Sequence, residues 1–550
     1  MIAKMLHLDL VCLDSERKRA LTELGSLGAV HLNLASAVGA AVTEAGEEIE
    51  RAAKAVRLIL KARGKTPRDD FEIRPKTVEE VLAVAADRER LLTEKDRLER
   101  EIKRYAPYGD FDPVLAQKLL DRGIDLKDEL PPLLPEMRLS KFEEKLARVE
   151  NRVRLDDARL SQTDEFAITA RFPKLKAALS FEQAKELMSA YGRLAALSGW
   201  VPAERVDELA AAAKANGWAI LTRERMPGEE PPVLIEPPRF FKSVKALFDG
   251  LGIAPAYDEG DVSVAFLGYF SLFFAMLVGD GAYGAIFLLA TLWGWKKYRS
   301  LSEAAKNPVM RSWLILMTIF SSATIVWGLL SNTWFGANLP FAKEWPTVKW
   351  LADPSYQNMM LLCFTIGVSH LMLARIWNGV LKINSLDSLA EFGWAGVLFF
   401  MYLVTNSVVG IFAWIPGWSF YVLGVSVVLI VSRTRGAALG MLPLNIMSAL
   451  GDIISYVRLF AVGLASVKVA ENFNQMAIGL VSGDKVWYMK AVLSLALVAI
   501  LVIGHTLNLA MAGLSILVHA VRLNTLEFSN HKGVSWSGDR FRPFKGKSLT

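Results

Sequence analysis

From about residue 255 to about residue 525 the chain is a succession of long apolar runs, and this feature limits the possible folds more than any other. A run of ~20 apolar residues matches the hydrocarbon thickness of a bilayer. Only helices or closed barrels can satisfy their backbone polar groups there. The runs fall at about 263–279, 283–298, 312–331, 357–380, 392–413, 418–432, 442–479 and 487–525. They predict about eight helical spans, provided the first stretch divides at GDGAYG. The last two runs are longer than a perpendicular span needs, so they are expected to tilt strongly or to project beyond the bilayer. Before residue 255 the text is rich in Lys, Arg, Glu and Asp. The overall 52% hydrophobic and 22% charged content of the 550 residues is therefore an average of two unlike halves.

The formal net charge of +6 does not mark a nucleic-acid binder, because the positive excess lies largely in short loops between apolar runs. Such loop charge orients a membrane protein. Lys and Arg concentrate in WKKYRSLSEAAKNPVMR, in the segment from Arg375 to Lys382, in SRTRG and in the tail HKGVSWSGDRFRPFKGKSLT. Those segments are expected on the cytoplasmic side. GDGAYG, NTWFGANLPFAKEWPTVKWLADPSYQ, WIPGW and VSGDKVW are expected outside. Two cysteines, Cys12 and Cys363, one in each half, give no disulfide framework and no zinc pattern. The opening MIAKMLHLDLVCLDSERKR lacks the apolar core of a signal peptide, so the N-terminal half is expected to remain cytoplasmic.

Residues 1–255 read as a cytoplasmic domain, 256–530 as a transmembrane domain and 531–550 as a cytoplasmic tail. Residues 2–12 run apolar as a strand, and DSERKRALTELGSLGAVHLNL follows as a helix, a Gly break and a second strand, which predicts an α/β lobe over about 1–75. From Thr77 to Tyr105 the apolar residues Val81, Val84, Leu91, Leu98, Ile102 and Tyr105 recur at helical spacing. Leu139, Phe142, Leu146, Val149, Val153 and Leu160 repeat the pattern after a break at Pro131, Pro132 and Pro135. Two such helices predict an antiparallel coiled-coil hairpin over about 77–162. A second α/β passage over about 165–235 is expected to lie beside the first if the hairpin brings its ends together, giving a rod with a globular end.

Within the run SALGDIISYVRLFAVGLASVKVAENF, Arg458 stands where a membrane helix should have no charge. Its insertion costs roughly 2.5–3.5 kcal/mol. Helical spacing places Gly451, Ser455, Ala461, Val462, Ala465 and Val469 near it on one face, and the small residues among them allow another helix to approach closely. Asp452 points elsewhere, so an ion pair within the helix is not expected. Two readings remain at this point: an arginine tied to carbonyls or a carboxylate of its own bundle, or a cation on an ion or proton path. On the final run, Asn508, Ser515, His519 and Arg522 form a polar stripe.

SYVRLFAVGLA followed by GLSILVHAVRLNTLEF resembles the last two membrane helices of the rotary V/A-type ATPase subunit called a in eukaryotes and I in bacteria and archaea. FFAMLVGDGAYG is similar to that family's GD-x-GYG signature, SGWVPAERVDEL to its GW-x-P passage, and YAPYGDFDP to the turn after its first coiled-coil helix. The terminal RFRPF resembles its archaeal and bacterial endings. The resemblance extends over nearly the whole chain. It implies a multi-pass plasma-membrane protein whose soluble half forms a collar. The implied partners are peripheral-stalk subunits of the E/G type, a central-stalk cap of the d/C type, rotor-ring subunits of the c/K/L type and the lipid bilayer. It assigns Arg458 as the cation facing the ring carboxylate and Arg522 as a second one, with no cofactor and no metal.

The chain departs from the family where relatives carry acids, near Leu444 or Asn445 and near Ala512, and it has Ser466 where eukaryotic members carry a histidine. Replacement groups include Asp452, Glu471, Lys468, His505, Asn508 and His519, with Glu391, His370 and Asp280 on other spans, and Ser455 and Ser515 stand beside the arginines as further ion-path candidates. Lys468 and Glu471 are spaced to pair with each other. The sequence holds no G-x-x-x-x-G-K-[ST] pattern, so nucleotide chemistry is expected on partner subunits. A self-contained secondary transporter would predict internal repeats, and none is evident between the halves of the membrane region. A scaffold that has lost conduction fits the missing acids.

Overall fold

The computed structural model describes residues 2–62, 75–122, 124, 130–238, 241–302, 306–482 and 487–545. The chain divides into two compact units, one of residues 5–225 with 542–550 and the other of residues 1–4 with 226–541. Parts of the expected hairpin turn, of the 1–75 lobe, of the loop VSGDKVW and of the C-terminal tail lie outside the described residues.

In the first unit the elements run β1 (Met5–Leu13), α1 (Arg17–Leu27), α2 (Ala40–Ala62), α3 (Val78–Tyr105), α4 (Pro113–Asp121), α5 (Leu139–Ser161), α6 (Glu165–Thr169), α7 (Phe172–Leu187), β2 (Ser189–Tyr191), β3 (Leu194–Pro202), α8 (Val206–Asn216) and β4 (Ala219–Arg223). The strands form one antiparallel sheet in the order β2-β3-β1-β4. Alternation in β1 buries Leu8, Leu10 and Cys12 on one face, as a half-covered strand requires, while Met5 is buried on the other. The expected second strand after α1 is reduced to isolated antiparallel bridges from His31 to Trp200 and to Pro543. β1 pairs along its whole length with β3 instead, with Leu8 opposite Gly199. The two α/β passages therefore contribute to a single sheet. Gly199 permits the close approach of the His31 segment, since a Cβ there would lie 2.7 Å from the His31 carbonyl oxygen.

Helices α3 and α5 pack against each other in antiparallel fashion. Leu91, Leu98 and Tyr105, at heptad spacing, are buried with Phe142 and Val149. Ion pairs flank this seam, with Arg88 2.6 Å from Asp157, Lys95 2.7 Å from Glu150 and Arg152 3.0 Å from Asp87. Thr77 starts α3 by accepting from the Glu80 amide at 3.2 Å, which satisfies one of the free donors of a first turn. In the turn after α3, Asp110 accepts from the Ser140 amide and Asp112 caps α4 through the Val114 amide. Asp112 also binds Arg138, which holds its carboxyl below the usual carboxylate range.

The second unit runs α9 (Val244–Leu251), α10 (Ser263–Val278), α11 (Gly281–Arg299), α12 (Pro308–Ser331), α13 (Pro346–Leu351), α14 (Gln357–Leu381), α15 (Ser388–Val408), α16 (Trp418–Val431), α17 (Ala437–Gly440), α18 (Leu442–Ile454), α19 (Val457–Val481), α20 (Trp487–Ser515) and α21 (Ser529–Lys532). Among the described residues, five helical segments are long and apolar enough to cross a membrane, and α10 with α11 makes a sixth if that bent pair is one span. α16 is apolar but shorter, at 14 residues. The division at GDGAYG is a 119° bend between α10 and α11. Gly279, at φ +70°, ends α10. Asp280 then caps α11 through the Ala282 amide at 2.8 Å and receives the Gly336 amide on its other oxygen, also at 2.8 Å. Farther along, Gly281 of α11 meets Gly328 of α12 so closely that a Cβ on Gly328 would lie 2.2 Å from the Gly281 Cα.

Candidate functional site

The last two long spans are each interrupted, and the interruptions carry the two arginines. Between α18 and α19 the helix breaks at Ser455 and Tyr456. The Ser455 hydroxyl donates to the Gly451 carbonyl at 3.0 Å, a back-bond of the kind that bends helices. The Ser455 carbonyl in turn accepts from Arg458 Nε at 3.0 Å. Arg458 Nη2 reaches Glu527 Oε1, also at 3.0 Å.

After α20 the helix widens to π geometry over Ile516–Ala520 and again over Leu523–Phe528. In an α-helix, residues five apart point about 140° away from each other. The i→i+5 turn of a π-helix brings them onto one face. Accordingly Arg522 Nε lies 3.4 Å from Glu527 Oε1, the oxygen that Arg458 also holds. Glu527 is 4% exposed, and its Oε2 has no hydrogen-bond partner among the described residues. The Arg458 side chain keeps 23% of its surface and that of Arg522 54%. His519, half-buried nearby, has an unpartnered Nδ1.

The face around Arg458 is open. Gly451, Ala461 and Ala465 are exposed and Ser455 half-buried. The continuation along the final span exposes Leu507, Met511, Leu514, Leu517 and Val518. The opposite face of this segment is buried at Asn508, Ala512, Ile516 and Ala520, so it packs on one side and is exposed on the other.

The other residues singled out in the sequence fall into separate groups. Asn508 does not join a stripe with Ser515 and His519: it is buried, donating to Tyr283 Oη at 3.1 Å and to the Ser466 carbonyl at 2.9 Å. His505 joins this group, with Nδ1 2.7 Å from Tyr283 Oη and Nε2 3.1 Å from Asn474 Oδ1. Ser515 is half-buried and its hydroxyl donates to the Met511 carbonyl of its own helix at 2.8 Å. Asp452 pairs with His531 Nε2 at 3.0 Å. Arg375 donates to His531 Nδ1 at 3.2 Å and to Glu391 at 3.1 Å. Accepting on Nδ1 leaves His531 the proton on Nε2, so it donates to Asp452.

Lys468 and Glu471 pair at 2.7 Å. Both line a cavity of about 540 Å³ together with Gly279, Gly336, Tyr356 and Gly463. Asp280 is taken up by its capping role. His370 is fully buried, stacked between Tyr269 and Phe528 and bonded to Tyr456 Oη at 2.8 Å. No group of three or more His, Cys, Asp and Glu side chains arranged to hold a metal occurs among the described residues.

Sequence reasoning missed Glu527, His531 and Tyr283. Glu527 lies off the α-helical stripe through Arg522, and only the π widening returns it. His531 and Tyr283 are reached through contacts far apart in the chain.

These observations define a multi-pass helical membrane protein with a separate α/β unit, in which a buried carboxylate holds two arginines beside an unpartnered face. No family model matches the chain. It is 29% identical to V-type ATP synthase subunit I 1 of Treponema pallidum over 99% of this chain and 100% of that one. It is 31% identical to V-type ATP synthase subunit I of Borreliella burgdorferi over 64% of this chain and 60% of that one. It is 25% identical to A-type ATP synthase subunit I of Methanocaldococcus jannaschii over 77% and 68% respectively. All three of these similar proteins are named as subunit I of a V-type or A-type ATP synthase, the family that the sequence resembles.

Proposed function

We propose that this chain is the stator subunit of the membrane sector of a rotary V/A-type ATP synthase, forming ion half-channels against a rotor ring. In this reading residues 256–530 contribute eight spans, α10 and α11 counting as two and α16 as one. Residues 1–255 are a cytoplasmic collar with a coiled-coil hairpin in α3 and α5, attached to peripheral stalks and to the central-stalk cap. The C-terminus is cytoplasmic. The transported ion is the proton.

The observation that carries the reading is the placement of Arg458 on an open face edged by Gly451, Ala461 and Ala465. A ring carboxylate must be ionised at the stator and neutral while it faces lipid, because a bare anion in hydrocarbon is prohibitively costly. A guanidinium does not deprotonate. It therefore favours the ionised carboxylate at one place on the circuit and promotes proton release there. It also repels a cation passing straight from one half-channel to the other. Asp452 with His531, and the Tyr283, His505 and Asn508 group, are the titratable and polar sets from which the two access paths are built.

A non-conducting scaffold of the same complex is the second reading, and the ion pair of Arg458 with Glu527 favours it. Arg458→Ala separates the two. In the assembled complex reconstituted into vesicles, the stator reading expects normal assembly with ATP-driven proton uptake abolished. Uptake at the unmodified level would leave only the scaffold. The chain alone is expected neither to bind nor to hydrolyse ATP; saturable nucleotide binding to the purified polypeptide would contradict the assignment.

A further inference from the structure

We propose that Glu527 is the resident counter-ion of Arg458, holding the guanidinium on the stator until a rotor carboxylate arrives and then passing to Arg522. The inference rests on the stator reading above.

The charge count of the cluster carries it. Arg458 and Arg522 supply two permanent positive charges and Glu527 one negative charge, so the set is complete only when one more anion joins. A passing carboxylate is that anion, and it is present only intermittently. In a low-dielectric setting a guanidinium left without a partner between two arrivals is strongly disfavoured. Glu527 fills that interval at 3.0 Å from Arg458 Nη2.

The geometry also contains the means of release. Both arginines touch the same oxygen, Oε1, and Arg522 does so at the longer distance of 3.4 Å. Oε2 is buried and without a partner among the described residues, although buried polar atoms are ordinarily satisfied. Arg522 is the more exposed and freer of the two side chains. As Arg458 turns to the rotor, Arg522 closes on Oε1 and Oε2 as a two-pronged partner. Two guanidiniums then face two carboxylates and no charge is stranded. The π turn over Leu523–Phe528 makes this possible by setting Arg522 and Glu527 on one face. Glu527 acts through Arg458 and is a positioning residue.

The test uses the whole complex in vesicles, with ATP-driven proton uptake followed across pH. The charged and titratable groups around the cluster are Tyr456 and Asp452 on the facing segment, His519 on its own helix, His531 just beyond it, His370 of α14, which stacks on Phe528, and Tyr269 of α10. All are kept intact. Glu527→Gln leaves the cluster with two uncompensated positive charges, which hold the rotor carboxylate ionised more strongly. Protonating it from water then requires more acid. The alkaline limb of the rate profile is expected to move down by about 1 pH unit, with the maximal rate falling roughly tenfold, equivalent to one unit of that shift. Glu527→Asp is expected to restore the position of the limb.

Arg522→Gln removes the alternative partner, leaves Glu527 on Arg458 and is expected to move the limb in the opposite, alkaline direction. An assembled Glu527→Gln complex with an unmoved profile overturns the proposal, whatever its rate. If Glu527→Gln does not assemble, Arg522→Gln decides alone, and a shift of zero or toward acid overturns it. Failure of the underlying stator reading is recognised separately, by uptake that persists in Arg458→Ala.

Discussion

Asp156 is buried in the helical hairpin with Oδ2 unpartnered, and its Oδ1 is 3.5 Å from Arg159. Burial pushes its carboxyl above the ordinary range, neighbouring Asp87 adds to the effect, and Arg159 opposes it. An acid whose folded-state pKa is raised binds more protons folded than unfolded, so stability falls as pH rises from the unfolded value through the folded one. Asp156→Asn is therefore expected to raise the thermal midpoint of the first unit by a few degrees at pH 7. The difference should vanish below about pH 4, where both side chains are neutral; circular dichroism melts at the two pH values check this. Residues of this kind differ in how openly the sequence reports them. Arg458 is conspicuous because one charge interrupts an apolar run, and Lys468 with Glu471 because their spacing pairs them. Glu527 is hidden because α-helical periodicity turns it away from Arg522. The partner of Asp452 was hidden because His531 is reached only after the chain has crossed two further long helices.

Helices α3 and α5 were the most openly written elements, since Leu91, Leu98, Tyr105, Phe142 and Val149 keep heptad spacing and a buried seam needs little more. The break at GDGAYG was written less openly, since the apolar run continues on both sides of it, and it is the cap of Asp280 on the Ala282 amide that fixes the bend between α10 and α11. The second strand after α1 was not legible. An apolar run of strand length fixes a local preference, whereas pairing depends on a partner far along the chain, and β3 rather than residues 29–34 supplies it. The contact between α11 and α12 belongs to the same class, because nothing in either helix alone says that Gly281 and Gly328 touch. A Cβ on Gly328 would lie 2.2 Å from the Gly281 Cα, and backbone cannot yield as a side chain does. Gly328→Ala is expected to destabilise the membrane unit by about 1–3 kcal/mol through overpacking. Gly451→Ala, where an added Cβ meets nothing within 4 Å, should be neutral in the isolated chain. Thermal aggregation of the detergent-solubilised variants distinguishes them.

At the scale of the whole molecule, the chain passes from one unit to the other at residues 4–5, 225–226 and 541–542, so the C-terminal segment belongs to both. Within the membrane unit, Arg540 donates to the carbonyls of Phe248 at 2.8 Å and Ile253 at 3.2 Å, and Phe541 N–H donates to the Val233 carbonyl at 3.0 Å. Within the first unit, the Arg542 amide donates to His31 Nδ1 at 2.9 Å and the Phe544 amide to the Val30 carbonyl at 2.8 Å. The Phe544 ring, 3% exposed, completes the core around Leu8, Leu21, Leu24 and Val30. The sequence reading made this segment a tail, because a short run of Arg, Phe and Pro has no periodicity and its partners lie hundreds of residues upstream. Phe544→Ala is expected to cost the first unit about 3 kcal/mol, as for other buried phenylalanines. Arg540→Ala is expected to cost the membrane unit about 1.5–3 kcal/mol through the loss of charged hydrogen bonds. With no shared partner, the two losses should add, each confined to its own unit. Hydrogen exchange followed peptide by peptide reads them apart: Phe544→Ala should loosen β1 and β3 while α9 and α10 keep their protection, and Arg540→Ala should do the reverse. Loosening of both units by either change alone would mean that the segment acts as one element and not as two independent anchors.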